Sequence, residues 1–210
     1  MTSQINEKTA MNRKDTTLSA RERILARIRA NRPNHFEHPE VPVFAIAGDP
    51  LKNFIEHVEG FDGKVIDAGS RKKAIEWLDK NLIPSTENLV FSAVADYEGN
   101  VTPDLLEKPS DAHLLKACVG EGILGIGETG SVLVAPESFG RMANGLFAIN
   151  LYLLLDKSKI VDGLQHAYEQ IDLSKVQYSS LFSGPSATAD IEAVHITGAQ
   201  GPISLTVLLY

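Results

Sequence analysis

Residues 43–95 read VFAIAGDPLKNFIEHVEGFDGKVIDAGSRKKAIEWLDKNLIPSTENLVFSAVA, and the alternation within this stretch decides the fold. Val43–Ala47 is a short apolar run of strand length. Asp49 followed by Pro50 supplies a helix N-cap and a proline suited to the first helical position. Leu51, Phe54, Ile55 and Val58 then recur at helical spacing, and Gly60 ends the run. Lys64–Ala68 reads as a second strand. Ser70 caps a second helix over Arg71–Leu82, with Ala74, Ile75, Leu78 and Leu82 on one face and Pro84 just beyond. Leu89–Ala95 is a third strand. Strands that alternate with amphipathic helices imply an α/β fold, a mainly parallel sheet with helices on both faces. Ligands of such sheets sit beyond the carboxyl ends of the strands.

The same grammar extends outward. Asp111–Cys118 reads as a helix or a passage from helix to strand. Val119–Val134 carries five glycines, with Glu128, Thr129, Gly130 and Ser131 forming a tight turn between two strands. Ala148–Leu155 is almost wholly apolar and predicts a central strand buried on both faces. Ile160–Ile171 predicts a helix. Upstream, residues 1–18 are polar and aperiodic and read as a flexible tail. Residues 19–42 are a helix and linker. The helix is capped by Thr17 or Ser19, with Ile24, Leu25 and Ile28 on one face and Arg21, Arg23, Arg27 and Arg29 on the other, a solvated face or a partner-docking arm. The linker holds three prolines with His35 and His38. Residues 43–210 are the α/β domain.

Composition narrows the function classes. The chain has 210 residues, 43% hydrophobic and 22% charged, with a net charge of −7. The acidic balance argues against nucleic acid as the main partner, because phosphate contacts need clustered lysine and arginine. Cys118 is the one cysteine. It excludes internal disulfides and any cysteine-built metal site or iron–sulfur cluster on this chain alone. No apolar run reaches membrane length and no signal-peptide core is evident, so a cytoplasmic location is expected.

Chemistry concentrates in glycine-proline turns. Residues 183–192 read SGPSATADIE. Ser183, Gly184, Pro185, Ser186, Thr188, Asp190 and Glu192 crowd one bend between buried runs, as ligand sites on rigid scaffolds do. A short helix starting near Ser186 would offer free amides to an anion, with Ser186 as its cap or as a ligand contact. Asp190 and Glu192 share a face if extended. A second turn, Gly198–Pro202, contains Gln200 and Gly201. Gly140-Arg141 adds a cation ahead of the buried run. Glu128 is the candidate catalytic carboxylate. There is no P-loop lysine, no dinucleotide glycine pattern and no hydrolase triad order. Cys118 and His195 read as packed residues, and no metal site is expected.

SGPSATADIE, the GAQGP that follows it at 198–202, and the GIGETGS of Gly125–Ser131 together resemble the signature of the lactate utilisation (LUD) domain, in particular lactate utilisation protein C. Gly140-Arg141 and the arginine-rich run Ala20–Arg29 fit the same pattern. The resemblance implies the fold of sugar-phosphate isomerases, CoA-transferases and 5-formyltetrahydrofolate cyclo-ligase. It implies a cluster-free auxiliary subunit of a system oxidising L-lactate to pyruvate, partnered by iron–sulfur subunits and binding a small anionic or phosphorylated ligand. Two other readings stand beside it: a stand-alone CoA-transferase-like or cyclo-ligase-like enzyme, and an assembly scaffold for the iron–sulfur partners. Gln200 stands where the family's second turn commonly has histidine. An amide there still hydrogen-bonds a ligand but transfers no proton.

Overall fold

The computed structural model describes residues 19–32, 42–172, 178–189 and 195–210. The chain divides into two compact units, Met1–Pro42 and Val43–Tyr210. Asp190 and Glu192 lie outside the described residues, as do the tail and most of the linker.

In the first unit, α1 spans Ala20–Ala30. Ser19 caps it through a reciprocal box, its side chain taking the Glu22 amide while Glu22 reaches back to the Ser19 amide. Arg27 and Arg29 in the last turn suit the negative end of the helix dipole. None of its residues is buried, and Ile24 and Ile28 are 59% and 56% exposed.

In the second unit, α2 (Pro50–Gly60) starts at Asp49, whose side chain accepts the Lys52 amide. β1 (Lys64–Asp67) follows, then α3 (Arg71–Asn81), capped by Ser70, and β2 (Val90–Ser92). β3 (Ala117–Glu121), β4 (Leu124–Ile126) and β5 (Ser131–Val134) come next. Then come α4 (Met142–Phe147), β6 (Asn150–Leu155), β7 (Ile160–Val161) and α5 (Leu164–Gln170). The chain closes with β8 (Ser180–Phe182), β9 (Ala187–Ala189), β10 (His195–Thr197) and β11 (Ser204–Leu209).

Five strands form a sheet in the order β1-β11-β6-β3-β2, and every pairing in it is parallel. Its middle strand is β6, the apolar run expected at the centre. Pleating sends alternate residues to opposite faces. Cys118, Leu151, Leu153, Leu155, Leu205, Val207 and Leu209 pack with Phe54 and Val58 of α2. Ala117, Val119, Leu154 and Leu208 pack with Ala74 and Leu78 of α3. The two helices thus cover the two faces, and the expected α/β architecture is what the chain adopts. A smaller sheet, β7-β4-β5-β8, and the antiparallel pair β9-β10 carry the turns that hold the chemistry.

Three local expectations gave way to tertiary pairing. Val43–Ala47 is no strand. The Phe44 amide donates to the Gln165 side chain instead of to a sheet neighbour, and among the described residues the β1 edge is paired only to β11. Ile160 and Val161 are taken by β4 as a strand, so the helix begins only at Leu164, after Gly163. No helix starts at Ser186. Ala187–Ala189 enters β9, while the Ser186 amide donates to the Pro202 carbonyl and the Ser186 carbonyl accepts from Gly198.

A candidate ligand site at the Glu128 hairpin

β4 and β5 pair antiparallel, and their connection, Gly127–Gly130, lies along α2. Two glycines permit this approach. A Cβ on Gly127 would sit 2.7 Å from the Pro50 carbonyl oxygen, and one on Gly130 would sit 2.6 Å from the Val58 nitrogen. Gly130 also has φ +61°, a conformation that costs other residues energy. From α2, the His57 Nδ1–H donates to the Gly127 carbonyl at 2.9 Å.

The hairpin is thereby pinned, and Glu128 projects toward the start of α5. The Glu128 amide donates to the Asp162 carbonyl at 2.8 Å, and Glu128 Oε2 accepts the Leu164 amide at 3.1 Å. Gly163 has no capping side chain of its own, so the carboxylate from the hairpin serves the helix as its cap. A cavity of about 340 Å³ opens beside it, lined by Glu128, Thr129, Phe44, Ile46 and Gly163–His166. His166 Nδ1 is buried there without a hydrogen-bond partner among the described atoms.

Thr129 lines this cavity and begins a chain of hydroxyls. Its Oγ1 is 2.7 Å from Ser131 Oγ, which is 2.5 Å from Ser183 Oγ. Ser131 is 3% exposed. The hydroxyls therefore run from the cavity through the protein interior to the turn at Ser183. There Gly184 (φ +141°) packs on the Phe61 carbonyl, and Gly201 packs on the Ser186 side chain. The two glycine-proline turns meet as a unit at the amino end of β11, joined by Ser186 and Pro202. Pro185 sits within the first turn, Thr188 pairs with Ile196 in β9-β10, and Gln200 is exposed.

Arg141 goes elsewhere. Its Nη1 donates to the carbonyls of Leu106 and Glu107 at 2.8 and 3.0 Å, holding that loop to the N-terminus of α4. The Glu128 cavity is lined by neither Arg141 nor Ser186. Thus Glu128, Thr129, Ser131 and Ser183 are connected, Ser183–Ser186 and Gly198–Pro202 form one neighbouring cluster, and Arg141 serves the fold.

Sequence reasoning missed another polar cluster at the carboxyl ends of the parallel strands. Arg71, the first residue of α3, donates Nε and Nη2 to Asp96, Nη1 and Nη2 to Glu121, and Nη1 to the Tyr210 hydroxyl, all within 2.8–3.1 Å. All of its N–H groups are thus engaged. Hydrogen bonds from Arg71 hold the Asp96 and Glu121 carboxyls below the ordinary range, and those two partners raise the guanidinium in turn. Burial, then the neighbouring Glu121 charge, pushes the Tyr210 phenol up. At the β1 end, the Lys157 ammonium does the same to Asp67, at 2.8 Å. This rim is a closed clamp across β2, β3, β11 and α3. Cys118 lies deep in the sheet, and burial drives its thiol up. Among the described residues, no cluster of histidine, cysteine and acidic side chains is placed to hold a metal.

A parallel sheet wrapped by helices, with a carboxylate hairpin and a joined pair of glycine-proline turns, defines an α/β fold class. Residues 110–210 match the family model of the LUD domain. The matched part contains Glu128 and Gly163–His166. Phe44, Ile46, Arg71 and Asp96 fall outside it. The fold is similar to that of a DUF162 family protein from Deinococcus radiodurans, known from a crystal structure at 1.70 Å resolution. The TM-score is 0.57 at 15% identity, over 76% of this chain and 95% of that one. Among curated proteins, none matches the chain. No described helix is long and apolar enough to cross a membrane.

Proposed function

We propose that this chain is the cluster-free subunit of an L-lactate oxidation system and that the Glu128 cavity is its working site. The observation that carries the reading is the LUD domain's own hairpin, which sets a carboxylate with one oxygen, Oε1, free of any described bond at the mouth of a small-molecule cavity. Such an oxygen can accept the proton of an α-hydroxyl group, and lactate carries one. Oxidising lactate releases reducing equivalents that need an acceptor. The lone Cys118, buried in the sheet, offers none, so iron–sulfur partners would take them. Helix α1, with exposed Ile24 and Ile28 between arginines, is the segment suited to docking such a partner.

The test is reconstitution. Lactate consumption is followed in a system of iron–sulfur partners with the wild-type chain, with Glu128→Gln, with a chain lacking residues 1–30, and with no chain. Full activity without the chain sinks the proposal. Loss of activity on removing residues 1–30, with the fold intact, assigns α1 to docking. The free Oε1 equally suits a carboxylate nucleophile in a stand-alone CoA-transferase-like enzyme, which could use a phosphorylated ligand such as an acyl-CoA. Acyl-CoA turnover by the isolated chain, abolished in Glu128→Gln, would favour that reading over the subunit.

A further inference from the structure

Resting on the reading that the Glu128 cavity is the lactate site, we infer that Phe44 and Ile46 set its substrate range. Lactate is the smallest member of a series of α-hydroxy acids that the cavity takes, and members with longer alkyl side chains bind more tightly.

Val43–Ala47 is an apolar run that enters no sheet, yet it is fastened at two points. The Phe44 amide donates to Gln165 Oε1 at 3.1 Å, at the start of α5, and the Ala47 carbonyl accepts from Asn53 Nδ2 of α2 at 2.9 Å. So strapped, the run brings Phe44 and Ile46 into the lining of the cavity beside Glu128, Thr129 and Leu164. Gly163 lets the two sides meet. A Cβ there would run into Ile46 Cδ1 and sit 2.8 Å from Glu128 Oε2. The carboxylate and the apolar wall therefore border one space.

Phe44 is 67% exposed. An aromatic side chain fixed at the surface in this way leaves apolar area that a ligand can cover. Lactate covers little of it, for its side chain is a single methyl group. The cavity, at about 340 Å³, falls in the range of about 300–1,000 Å³ that serves much larger ligands. The arms of an α-hydroxy acid meet three environments here. The hydroxyl donates to Glu128 Oε1, which has no described partner. The alkyl arm lies against Phe44, Ile46 and Leu164. The carboxylate stays in water at the mouth. Glu128 is itself exposed, so solvent screens the two charges from each other. What changes along the series is the apolar area removed from water.

The full chain is titrated with lactate, α-hydroxybutyrate, α-hydroxyisocaproate and isocaproate, the last lacking the hydroxyl. Binding is read by calorimetry and by NMR shifts of Phe44, Ile46 and Thr129. A fully buried methylene raises affinity about fourfold, and an open wall yields about half of that free energy, so about twofold is expected per added carbon. α-Hydroxyisocaproate, three carbons longer than lactate, should therefore bind about eightfold more tightly. Isocaproate should bind about fivefold more weakly than α-hydroxyisocaproate, the effect of one exposed hydrogen bond. Phe44→Ala should cut the eightfold ratio to about threefold or less, and Ile46→Ala should act in the same direction. Thermal melting checks the fold of both. The inference is overturned by a ratio near one in the wild-type chain, by an undiminished ratio in both variants, by isocaproate matching its hydroxy acid, or by no acid binding at all. The lactate assay keeps the two claims apart. Glu128-dependent lactate oxidation with a flat chain-length series removes the substrate range alone. A steep, Phe44-dependent series with Glu128-independent oxidation removes the functional reading and leaves the cavity's preference among α-hydroxy acids standing.

Discussion

Glu128 Oε2 accepts the amide of Leu164 at 3.1 Å, across 36 residues of chain, and so one carboxylate both caps α5 and faces the cavity. Replacing Glu128 by alanine removes the cap and should cost about 1 kcal/mol, as cap deletions do. Glu128→Gln retains an acceptor and should stay within about 0.3 kcal/mol of wild type. Urea unfolding of both variants checks this. A glutamine variant as unstable as alanine would show that the charge, not the hydrogen bond, holds the helix start.

Ser131 is the middle member of the hydroxyl chain and is buried, so its loss strands both neighbours. Ser131→Ala should destabilise by about 1–3 kcal/mol, since Thr129 and Ser183 lose a shared partner in a dry setting. Ser183→Ala, at the half-buried end, should cost less, about 1 kcal/mol or below. Denaturant midpoints of the two variants measure the difference. Equal losses would mean that the chain of hydroxyls does not act through its buried centre.

The Arg71 clamp predicts an acid-sensitive rim. Asp96 and Glu121 are held below the ordinary carboxylate range by hydrogen bonds from Arg71. Carboxyls depressed in the native state contribute in full above their unfolded values near about pH 4. That contribution is lost as the pH falls through the lower native values. Their side chains are 46% and 38% exposed, so solvent screening limits the contribution to about 1 kcal/mol for the pair. In Arg71→Gln, stability measured between about pH 7 and pH 2 should fall less steeply at the acid end than in wild type. An unchanged acid slope would remove Arg71 as its source.

Gly130 and Gly60 form a matched pair. At Gly130 a Cβ would meet the Val58 nitrogen at 2.6 Å, and φ is +61°. Gly130→Ala should therefore destabilise by about 2 kcal/mol or more. At Gly60 a Cβ meets nothing within 4 Å, and Gly60→Ala should raise stability by up to about 1 kcal/mol. Melting temperatures report both, and a tolerated Gly130→Ala would show that the hairpin does not need its seat on α2.

Much of the scaffold was legible because its signals are local. Asp49-Pro50, Ser70 and the apolar spacings of Phe54, Val58, Ala74 and Leu78 place helices that the structure contains. The unbroken apolar run before Asp156 marks the strand at the centre of the sheet. The turn at Glu128–Ser131 was legible for the same reason. What escaped is set by distance along the chain. Nothing near Phe44 signals Gln165, 121 residues away, and so an apolar run was read as a strand. Nothing near Arg71 signals Glu121 or Tyr210, which topology brings to one rim. His166 was hidden inside an expected helix whose inward residues are apolar. Ser186 looked like a helix cap until β10 supplied a strand partner for the residues that follow it.

The seclusion of Cys118 has a practical corollary. Thiol reagents attack the thiolate and need access to it, and this side chain provides neither. The wild-type chain is thus already silent toward maleimides. A single cysteine introduced on an exposed position of α1 or at the cavity mouth becomes a unique handle, so fluorophores or cross-linkers can map partners without first stripping the protein of its native thiol.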